Sequence, residues 1–551
     1  MQSIVREQEW KDIHKRALLN ESFVEVSLDI TDPDALADAT SQDNGAIYTS
    51  QSEHVAEPVE RITHPYCTLE QNLWCLDGSR QAIPESDFKD ETYASDVLSD
   101  ETCVFSPKRP TIRIVFEEIH NKLIPGLTIT WSETYKEYAD TFEVIVYKES
   151  NIVFTKEVTG NKSIETMVFL EFASYDRVEV IVKKWCLPNR RARVEGILVG
   201  LHKVYGKGDL FDYSHKQYVD PLSLSLPKSE ITFSINNVDG EYDINNTQGI
   251  SKYLTERQEL KTRYGLRMDD GSIEWVNGGV FYLTEWHAKQ NGMTADFTAR
   301  DVFSFLTDVC KDVPYDTSLL RDYHEIAEAL LTAANLPKGS AGWSIDESFK
   351  KPGFLDKTTN SFFPEDTIAN NLQLVVNAGR GILYQDREGI IRIKGIEHDA
   401  IYDTDYEISP FNSYSRSEIS LSKPIRQVRV KNYLYTKSSI TGELIIETRD
   451  DAVYPSDDDI SSDTVGETII LDNPLIDSSV VGKAVAKWVY SYLKNRKTVD
   501  SSWRPDIRLD ALDLVKIPNN YNTDVVLMTD IEYTYNGAFH ATGQGKVIGN
   551  G

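Results

Sequence analysis

Residues 229–301 constrain the fold of this 551-residue chain more than any other stretch. Three apolar residues, Ile231, Phe233 and Ile235, alternate with polar ones, which is the two-residue period of a strand with one apolar face. Turn-forming residues follow at 237–240 and end the strand. Further short strands and tight turns follow in the same stretch, so the pattern predicts a small antiparallel barrel or sandwich.

The remaining strands of this stretch are as short as the first. We predict them at 263–266, 279–286 and 294–299. An Asp-Asp-Gly turn at 269–271 and an Asn-Gly pair at 291–292 separate them, and Asn-Gly is a strong hairpin signal. The stretch therefore contains at least four strands joined by tight turns.

The same residues carry a family resemblance. The segments FSINNVDGEY at 233–242, GVFYLTEW at 279–286 and FTARD at 297–301 resemble the first barrel of a family of phage proteins. These are the baseplate hub or tail-associated (tail tip) proteins of tailed phages and phage-like tail particles. The segments occur in the family's order over about 70 residues. The alternative, from the strand pattern alone, is a generic barrel of β-hairpins.

Composition limits the class of protein. The chain is 26% charged and 40% hydrophobic, which is typical of globular proteins, and its length predicts several domains. No apolar run is long enough to span a bilayer, and the polar N-terminus predicts no signal peptide. A net charge of −29 disfavours specific nucleic-acid binding. The same charge suits a conduit through which DNA slides, although composition alone favours plain solubility as its explanation.

The cysteines predict no disulfide framework. They are few for a long chain and odd in number: Cys67, Cys75, Cys103, Cys186 and Cys310. Cys67 and Cys75 lack the second pair or the spaced histidines of a zinc site. We expect free, buried thiols.

The N-terminal region reads as the start of a barrel. A helix is predicted at 7–19, an alternating strand at 22–30 and a long polar loop at 31–64. We expect the strand to pair with strands after residue 200, because the resemblance implies that the first barrel is interrupted by an insert. The segments at 66–72 and 74–79 resemble a stretch that precedes an inserted β-domain in tail proteins of phages infecting Gram-positive hosts.

Residues 109–200 have the pattern of that insert. Apolar strands separated by turns indicate an all-β sandwich. They are predicted at 111–116, 127–131, 142–147, 152–154, 166–170 and 177–185, with an Arg-rich turn and a final strand at 190–199. This order resembles jelly-roll domains of the galactose-binding type, in which lectin activity is common but does not follow from the fold.

The C-terminal half mixes helices and strands. Apolar spacing of three and four predicts helices near 323–334 and 368–376, and a hairpin follows at 382–393. After residue 401 strands dominate, with one helix over 481–492 capped by Asp477 or Ser478. Those strands are predicted at 418–421, 425–435, 443–448, 468–471, 513–517, 524–535 and 540–547.

Together these patterns predict a mainly β, multidomain α+β chain. It combines two hub-type β-barrels, an inserted β-sandwich (jelly roll) and a small α+β domain. The predicted division is 1–64 (first part of the first hub barrel plus loop), 65–108 (connecting segment), 109–200 (galactose-binding-like insert), 201–314 (rest of the first barrel), 315–400 (α+β domain) and 401–551 (second barrel with one helix).

The resemblance implies a structural role. Two similar barrels in each of three chains give six barrels, so a homotrimer matches a six-fold tail tube to a three-fold tip. The implied partners are the distal tail ring, tail tube, tape-measure and tip or fibre proteins. The chain is expected in the virion, at the tail tip or baseplate, after assembly in the host bacterial cytoplasm.

Candidate sites are few. No metalloprotease, P-loop or nucleophile-elbow motif occurs, so we predict no enzyme, no cofactor and no metal site. The residues with the best chance of contacting a ligand are aromatic and basic residues of the insert: Trp131, Tyr147, Tyr175, Trp185, Arg190, Arg191 and Arg193. Aromatic residues in strands are more often core residues, and a basic turn is more often simply solvated.

Two other functions stay open. The first is a carbohydrate-binding adhesin that recognises host cell-wall carbohydrate through residues 109–200. The second is a cell-wall hydrolase, which we do not expect because the chain ends at Gly551, soon after the predicted second barrel.

Overall fold

A computed structural model describes most of the chain. It covers residues 6–14, 16, 20–47, 49–56, 67–70, 72–75, 77, 92–247, 249–288, 292–308, 321–334, 336, 342–350, 355–361, 366–397, 404, 406–437, 444–460 and 465–550.

Helices are a minor part of the described residues. The α-helices are α1 (Glu7–His14), α2 (Pro33–Asp38), α3 (Tyr323–Ala333), α4 (Ile368–Ala378) and α5 (Ser479–Leu493). Short 3-10 helices occupy Ser52–His54, Ile250–Tyr253, Val302–Phe305, Leu355–Lys357 and Asp457–Asp459. Within the described ranges, none of the helices has the length and apolar character that a membrane span needs.

Strands make up most of the regular structure. The first fifteen are β1 (Ser22–Thr31), β2 (Thr40–Asp43), β3 (Tyr93–Leu98), β4 (Thr111–His120), β5 (Ile124–Thr130), β6 (Ala139–Lys148), β7 (Asn151–Val158), β8 (Glu165–Phe172), β9 (Tyr175–Trp185), β10 (Arg191–Val194), β11 (Gly196–Leu198), β12 (Gly200–Tyr205), β13 (Leu210–Tyr218), β14 (Lys228–Asn236) and β15 (Glu259–Arg267). The others are β16 (Ile273–Ala288), β17 (Thr294–Arg300), β18 (Arg321–Asp322), β19 (Trp343–Ile345), β20 (Thr358–Thr359), β21 (Gly381–Gln385), β22 (Ile391–Gly395), β23 (Glu418–Leu421), β24 (Ile425–Lys437), β25 (Leu444–Tyr454), β26 (Glu467–Leu471), β27 (Lys497–Trp503), β28 (Leu514–Pro518), β29 (Thr523–Tyr535) and β30 (Phe539–Asn550). The prediction of a mainly β, multidomain chain is confirmed.

The chain forms two compact units. Unit 1 contains residues 1–26, 205–240 and 259–551, and unit 2 contains residues 27–204 and 241–258. The finer division into six parts stays a prediction.

Unit 1 is built on one large sheet. Its strand order is β1-β15-β16-β17-β14-β13-β29-β30-β27-β23, with β28 on β29, and β12 lies beyond β1 in the same path. The expected pairing of β1 with strands after residue 200 is therefore present. Strands from both predicted barrels share this sheet, because β13 pairs with β29 from Tyr213 opposite Tyr535 to Tyr218 opposite Asp530. The path is open in the described residues, so two closed barrels stay a prediction.

The α+β part of unit 1 follows its sequence signals. In α3, Asp322 and Glu325 form a capping box, and α4 begins where the Thr367 hydroxyl accepts from the Asn370 N–H at 3.2 Å. Ser478, one of the two predicted caps, accepts from the Val481 N–H and starts α5. The apolar faces of α3, α4 and α5 meet the hairpin β21–β22 and the three-stranded sheet β25-β24-β26 in one core.

Unit 2 contains two facing sheets with a common core. The larger has the order β2-β4-β9-β6-β7 and the smaller the order β11-β5-β8. Along β8, buried and exposed residues alternate without exception. A sandwich is thus present, whereas its classification as a jelly roll stays a prediction.

Some elements differ from the predictions. The segment 31–64, predicted as a loop, contains α2, and it contains β2, which pairs with β4. The strands that were not predicted include β3, β13 and β27, together with β12 and the short β18, β19 and β20. These segments carry many polar residues, so the period of two is weak in them. Helix α1 ends at His14, and residues 17–19 of the predicted helix lie outside the described residues, as do 289–291 of the predicted Asn-Gly hairpin.

Candidate functional site

Three of the four aromatic residues predicted to contact a ligand lie in the core of unit 2. Trp131, Tyr175 and Trp185 have no exposed surface. The two indole rings pack edge to face with centroids 6.0 Å apart. Their N–H groups donate to Thr166 Oγ1 at 2.9 Å and to Glu137 Oε2 at 2.8 Å. A sugar outside the fold does not reach these rings in this structure.

Tyr175 and Tyr147 differ in their surroundings. The Tyr175 ring packs edge to face on Phe116 and Phe172, and burial raises the pKa of its hydroxyl well above the ordinary value. Tyr147 is half-buried on the outer face of the larger sheet. The Arg177 guanidinium stacks 4.0 Å from the centroid of its ring, so that face is already occupied.

The basic residues predicted to meet a ligand are joined to buried carboxylates. Arg193 donates through both terminal nitrogens to Glu70, and Arg190 Nε lies 3.0 Å from Glu137 Oε1. Arg191 is half-buried, and its guanidinium donates to the Ser95 carbonyl at 2.7 Å while its backbone N–H donates to Glu70. The predicted basic patch is therefore an internal ion-pair network of unit 2.

The two carboxylates of this network have opposite pKa shifts. For Glu137 the largest effect is burial, and it raises the pKa despite the Trp185 hydrogen bond and the charge of Arg190. Burial is also the largest single effect on Glu70, but the hydrogen bonds and charge of Arg193, with the Arg191 N–H, lower its pKa overall. Glu70 thus stays ionised and holds the 67–70 segment against β10.

Several ion pairs lie on the outer face of the larger sheet in unit 2. Glu179 accepts from Arg113 at 2.8 Å, and the Tyr147 hydroxyl donates to its other oxygen at 3.2 Å. Lys183 lies between Glu143 and Glu157, at 2.9 Å and 3.0 Å. Glu179 is buried, whereas the side chains around Lys183 are partly exposed, so each Lys183 pair contributes about 0–1 kcal/mol.

Unit 1 contains a cavity of about 1630 Å³. Its lining includes His215, Phe281 and Arg387, together with charged side chains such as Lys11 and Arg504. His215 is hydrogen-bonded through both ring nitrogens, to the Tyr264 hydroxyl at 2.7 Å and to the Ser229 hydroxyl at 3.0 Å. Burial and the charge of Arg387 lower its pKa to about 3, so it is neutral at neutral pH.

Arg387 connects distant parts of unit 1 at this cavity. It lies in the turn of the hairpin β21–β22 and is almost fully buried. Its guanidinium donates to Asp510 Oδ1 at 2.7 Å, to the Asn277 carbonyl at 2.8 Å and to the Leu509 carbonyl at 2.9 Å. Three acceptors, one in β16 and two in the loop between β27 and β28, therefore converge on one side chain. The sequence did not predict a role for this residue, because the Asp-Arg-Glu-Gly sequence at 386–389 is typical of a solvent-exposed turn.

Among the residues that the structure describes, one group of side chains has the residue types of a metal site. Asp322, His324 and Glu325 bring their ligand atoms within 4.8 Å of one another. Asp322 and Glu325 already form the capping box of α3. A helix start of this kind is ordinary capping, and it does not by itself indicate a metal.

Comparison with known proteins gave structural neighbours only. No protein-family model and no curated protein matches the sequence. The structural neighbours include phage tail and baseplate proteins and a component of the E. coli type VI secretion system. The tail protein of prophage MuSo2 from Shewanella oneidensis is 11% identical with a TM-score of 0.40, and the match covers 63% of this chain and 95% of that one. A tail protein from Neisseria meningitidis is 10% identical with a TM-score of 0.40, over 62% and 93%.

A third neighbour has a similar score. The prophage tail protein gp18 from Listeria monocytogenes is 9% identical with a TM-score of 0.38, over 63% of this chain and 91% of that one.

Proposed function

We propose that this chain is a structural hub of a phage or phage-derived tail tip. Three copies form an adaptor that joins the six-fold tail tube to the three-fold tip and lines the DNA conduit. Its partners are the distal tail ring, tail tube, tape-measure and tip or fibre proteins. Its place is the tail tip or baseplate of the virion, and its role is structural rather than enzymatic.

The shared sheet of unit 1 is the observation that carries the proposal. The segments that resemble the hub family form β14, β16 and β17, and β13 joins them to β29, in the region predicted as the second hub barrel. One chain therefore presents two strand-rich halves side by side. Three such chains supply six halves, which is what matching a three-fold assembly to a six-fold ring requires.

An exposed sheet edge supports assembly with other copies. β23 ends the strand path, and all four of its residues are exposed, including Ile419 and Leu421. Soluble proteins rarely leave an apolar edge strand open, because it pairs with other chains. In the proposed trimer this edge lies against a neighbouring copy.

The alternative of a carbohydrate-binding adhesin draws no support from the insert's predicted ligand residues. Trp131, Tyr175 and Trp185 are buried, and Arg190 and Arg193 are engaged by carboxylates inside unit 2.

The proposal is tested by counting copies in native particles. A peptide tag placed after Gly551 is labelled with gold in purified tails, and the tips are imaged. We expect three labels around the axis and a three-fold average. The same tag on a tail tube subunit is the control, and it should give rings of six. One label, six labels, or a chain that never enters the particles would refute the hub.

A further inference from the structure

Asparagine followed by glycine is a chemically reactive pair, and the chain contains five such pairs, at 44–45, 277–278, 291–292, 536–537 and 550–551. The glycine nitrogen can attack the side-chain carbonyl carbon of the asparagine, because glycine has no Cβ to hinder the approach. The two atoms must first come within about 3–3.5 Å in the right orientation. The surrounding structure therefore decides which pairs react. Asn291 and Gly551 lie outside the described residues, so the structure describes three complete pairs.

The pair Asn536–Gly537 is free to reach this geometry. It lies in the three-residue loop of the hairpin β29–β30, which the pairing of Tyr535 with Phe539 closes. All three loop residues are exposed. Within the described ranges, neither the Asn536 side chain nor the Gly537 N–H has a hydrogen-bond partner. A Cβ added to Gly537 would have no neighbour within 4 Å, so the space around the reacting atoms is open.

The pair Asn44–Gly45 is also accessible, but hydrogen bonds hold both reacting groups. The Asn44 side chain donates to the Arg109 carbonyl at 2.8 Å and accepts from the Thr111 N–H at 3.0 Å. The Gly45 N–H, which carries the attacking nitrogen, donates to Asp43 Oδ1 at 2.7 Å. Attack at this pair therefore requires that three hydrogen bonds break first.

The pair Asn277–Gly278 is held through its main chain. Asn277 lies in β16 opposite Arg263, and its carbonyl accepts from the Arg387 guanidinium at 2.8 Å. The Asn277 carbonyl and the Gly278 nitrogen belong to one planar peptide group. Arg387 therefore fixes the attacking nitrogen as well as the carbonyl, although the Asn277 side chain is exposed.

We propose that Asn536 is a modification site, at which the folded protein converts asparagine to aspartate or isoaspartate without an enzyme. The Gly537 nitrogen forms a bond to Asn536 Cγ, the Cγ–Nδ2 bond breaks, and Nδ2 leaves as ammonia with the proton of the glycine amide. Water then opens the cyclic imide at either carbonyl, and its oxygen stays in the new carboxylate. Opening on the main-chain side gives isoaspartate, which adds one atom to the backbone of the loop.

The test uses the full chain in mildly alkaline buffer made with heavy-oxygen water. Tryptic peptides are followed by mass spectrometry over time. We expect conversion at Asn536 to be about tenfold or more faster than at Asn44 and Asn277. One heavy oxygen in the product identifies solvent water as the co-reactant. The rate should rise with pH, because the glycine amide must lose its proton to attack.

The same chain in concentrated urea is the matched control. Without folded structure, the three pairs should react at rates within about threefold of one another. Two variants of the folded chain separate the causes. Arg387→Met should raise the rate at Asn277 about tenfold and leave the rate at Asn44, in unit 2, unchanged. Gly537→Ala should lower the rate at Asn536 about tenfold, because the added Cβ hinders the approach.

Two results would overturn the inference. The first is an equal rate at the three pairs in the folded chain. The second is a lead of Asn536 that persists undiminished in urea, since the lead would then come from neighbouring residues in the sequence and not from the fold. Neither result bears on the hub proposal, which is read from label counts at the tail tip.

Discussion

The buried guanidinium of Arg387 gives the sharpest quantitative prediction. Replacing it with methionine, Arg387→Met, keeps an unbranched apolar side chain in the same space but removes three hydrogen bonds. The loss removes the Arg387 ion pair of Asp510 and the charged donor to the carbonyl groups of Asn277 and Leu509, although the Leu509 carbonyl keeps a hydrogen bond from the Tyr533 hydroxyl at 2.7 Å. The free energy of unfolding of unit 1 should fall accordingly.

The expected loss of unfolding free energy in Arg387→Met follows from the burial of the ion pair. Breaking a fully buried ion pair by removing one partner costs about 3–5 kcal/mol. The Asp510 side chain is 23% exposed and keeps a hydrogen bond from Gln217 at 3.2 Å, which moderates the penalty. The two carbonyl groups lose bonds to a charged donor, each a net contribution of about 1.5–3 kcal/mol. Because these contributions are not additive, we expect a total of about 3–4 kcal/mol.

The assay must resolve the two units, because a chain of this kind need not unfold in one step. Hydrogen exchange under increasing urea, read by mass spectrometry, reports each unit separately. Arg387→Met should lower the protection of peptides around Asn277 and Leu509 and leave peptides of β6 and β9 in unit 2 unchanged. Arg300→Met is the matched control, since Arg300 forms an exposed pair with Glu230 at 2.7 Å and should cost less than about 1 kcal/mol.

A double-mutant cycle adds a second criterion. Asp510→Asn combined with Arg387→Met should cost less than the sum of the single changes, with a coupling of about 1.5 kcal/mol or more. Equal costs for Arg387→Met and Arg300→Met, or full additivity in the cycle, would refute the view that Arg387 connects the parts of unit 1.

Three further predictions concern other residues. Glu70→Gln should destabilise unit 2 by about 3 kcal/mol, because Arg193 loses a buried partner, whereas Glu133→Gln at an exposed pair with Lys136 should cost almost nothing by urea unfolding. Burial raises the pKa of Asp301 to about 7, so its contribution to stability is highest below its unfolded pKa near 3.8 and is lost as pH rises through 7. Asp301→Asn should therefore flatten the pH dependence of unit 1 stability between about pH 3.8 and 7. An unchanged slope would contradict the raised pKa of Asp301. Ile419→Glu together with Leu421→Glu should lower the fraction of the proposed trimer measured by light scattering without changing the circular dichroism, whereas Val238→Glu, in an exposed turn, should leave that fraction unchanged.

Sequence reasoning located the elements whose residues follow a strong period. The alternation in β8 and the apolar stripe of α5 are visible without coordinates, and both elements are present. Strands β13 and β27 were not predicted because polar residues such as His215 and Asp500 occupy much of each strand. Their place in the sheet is fixed by pairing with strands far away in the chain, and no local pattern records such a partner.

The surroundings of the candidate site residues were even harder to predict from local sequence patterns. A tryptophan in a strand such as Trp131 has the same local pattern whether it faces a ligand or the core. Arg190 and Arg193 read as a basic turn because the acids that neutralise them are distant in sequence, as Glu70 shows. Arg387 appeared to be a solvated turn residue for the converse reason, since its acceptors come from residues more than a hundred positions away.

The pairing of β13 with β29 has a consequence for synthesis on the ribosome. Tyr213 and Tyr535 are separated by roughly 320 residues, which take roughly 15–65 s to translate at about 5–20 residues per second. Unit 2 needs nothing beyond residue 258 and can be complete during that interval. Until β29 is synthesised, β13 lacks the strand that pairs with this edge. Slower translation should therefore lengthen the time in which chaperones or other chains can bind the β13 edge.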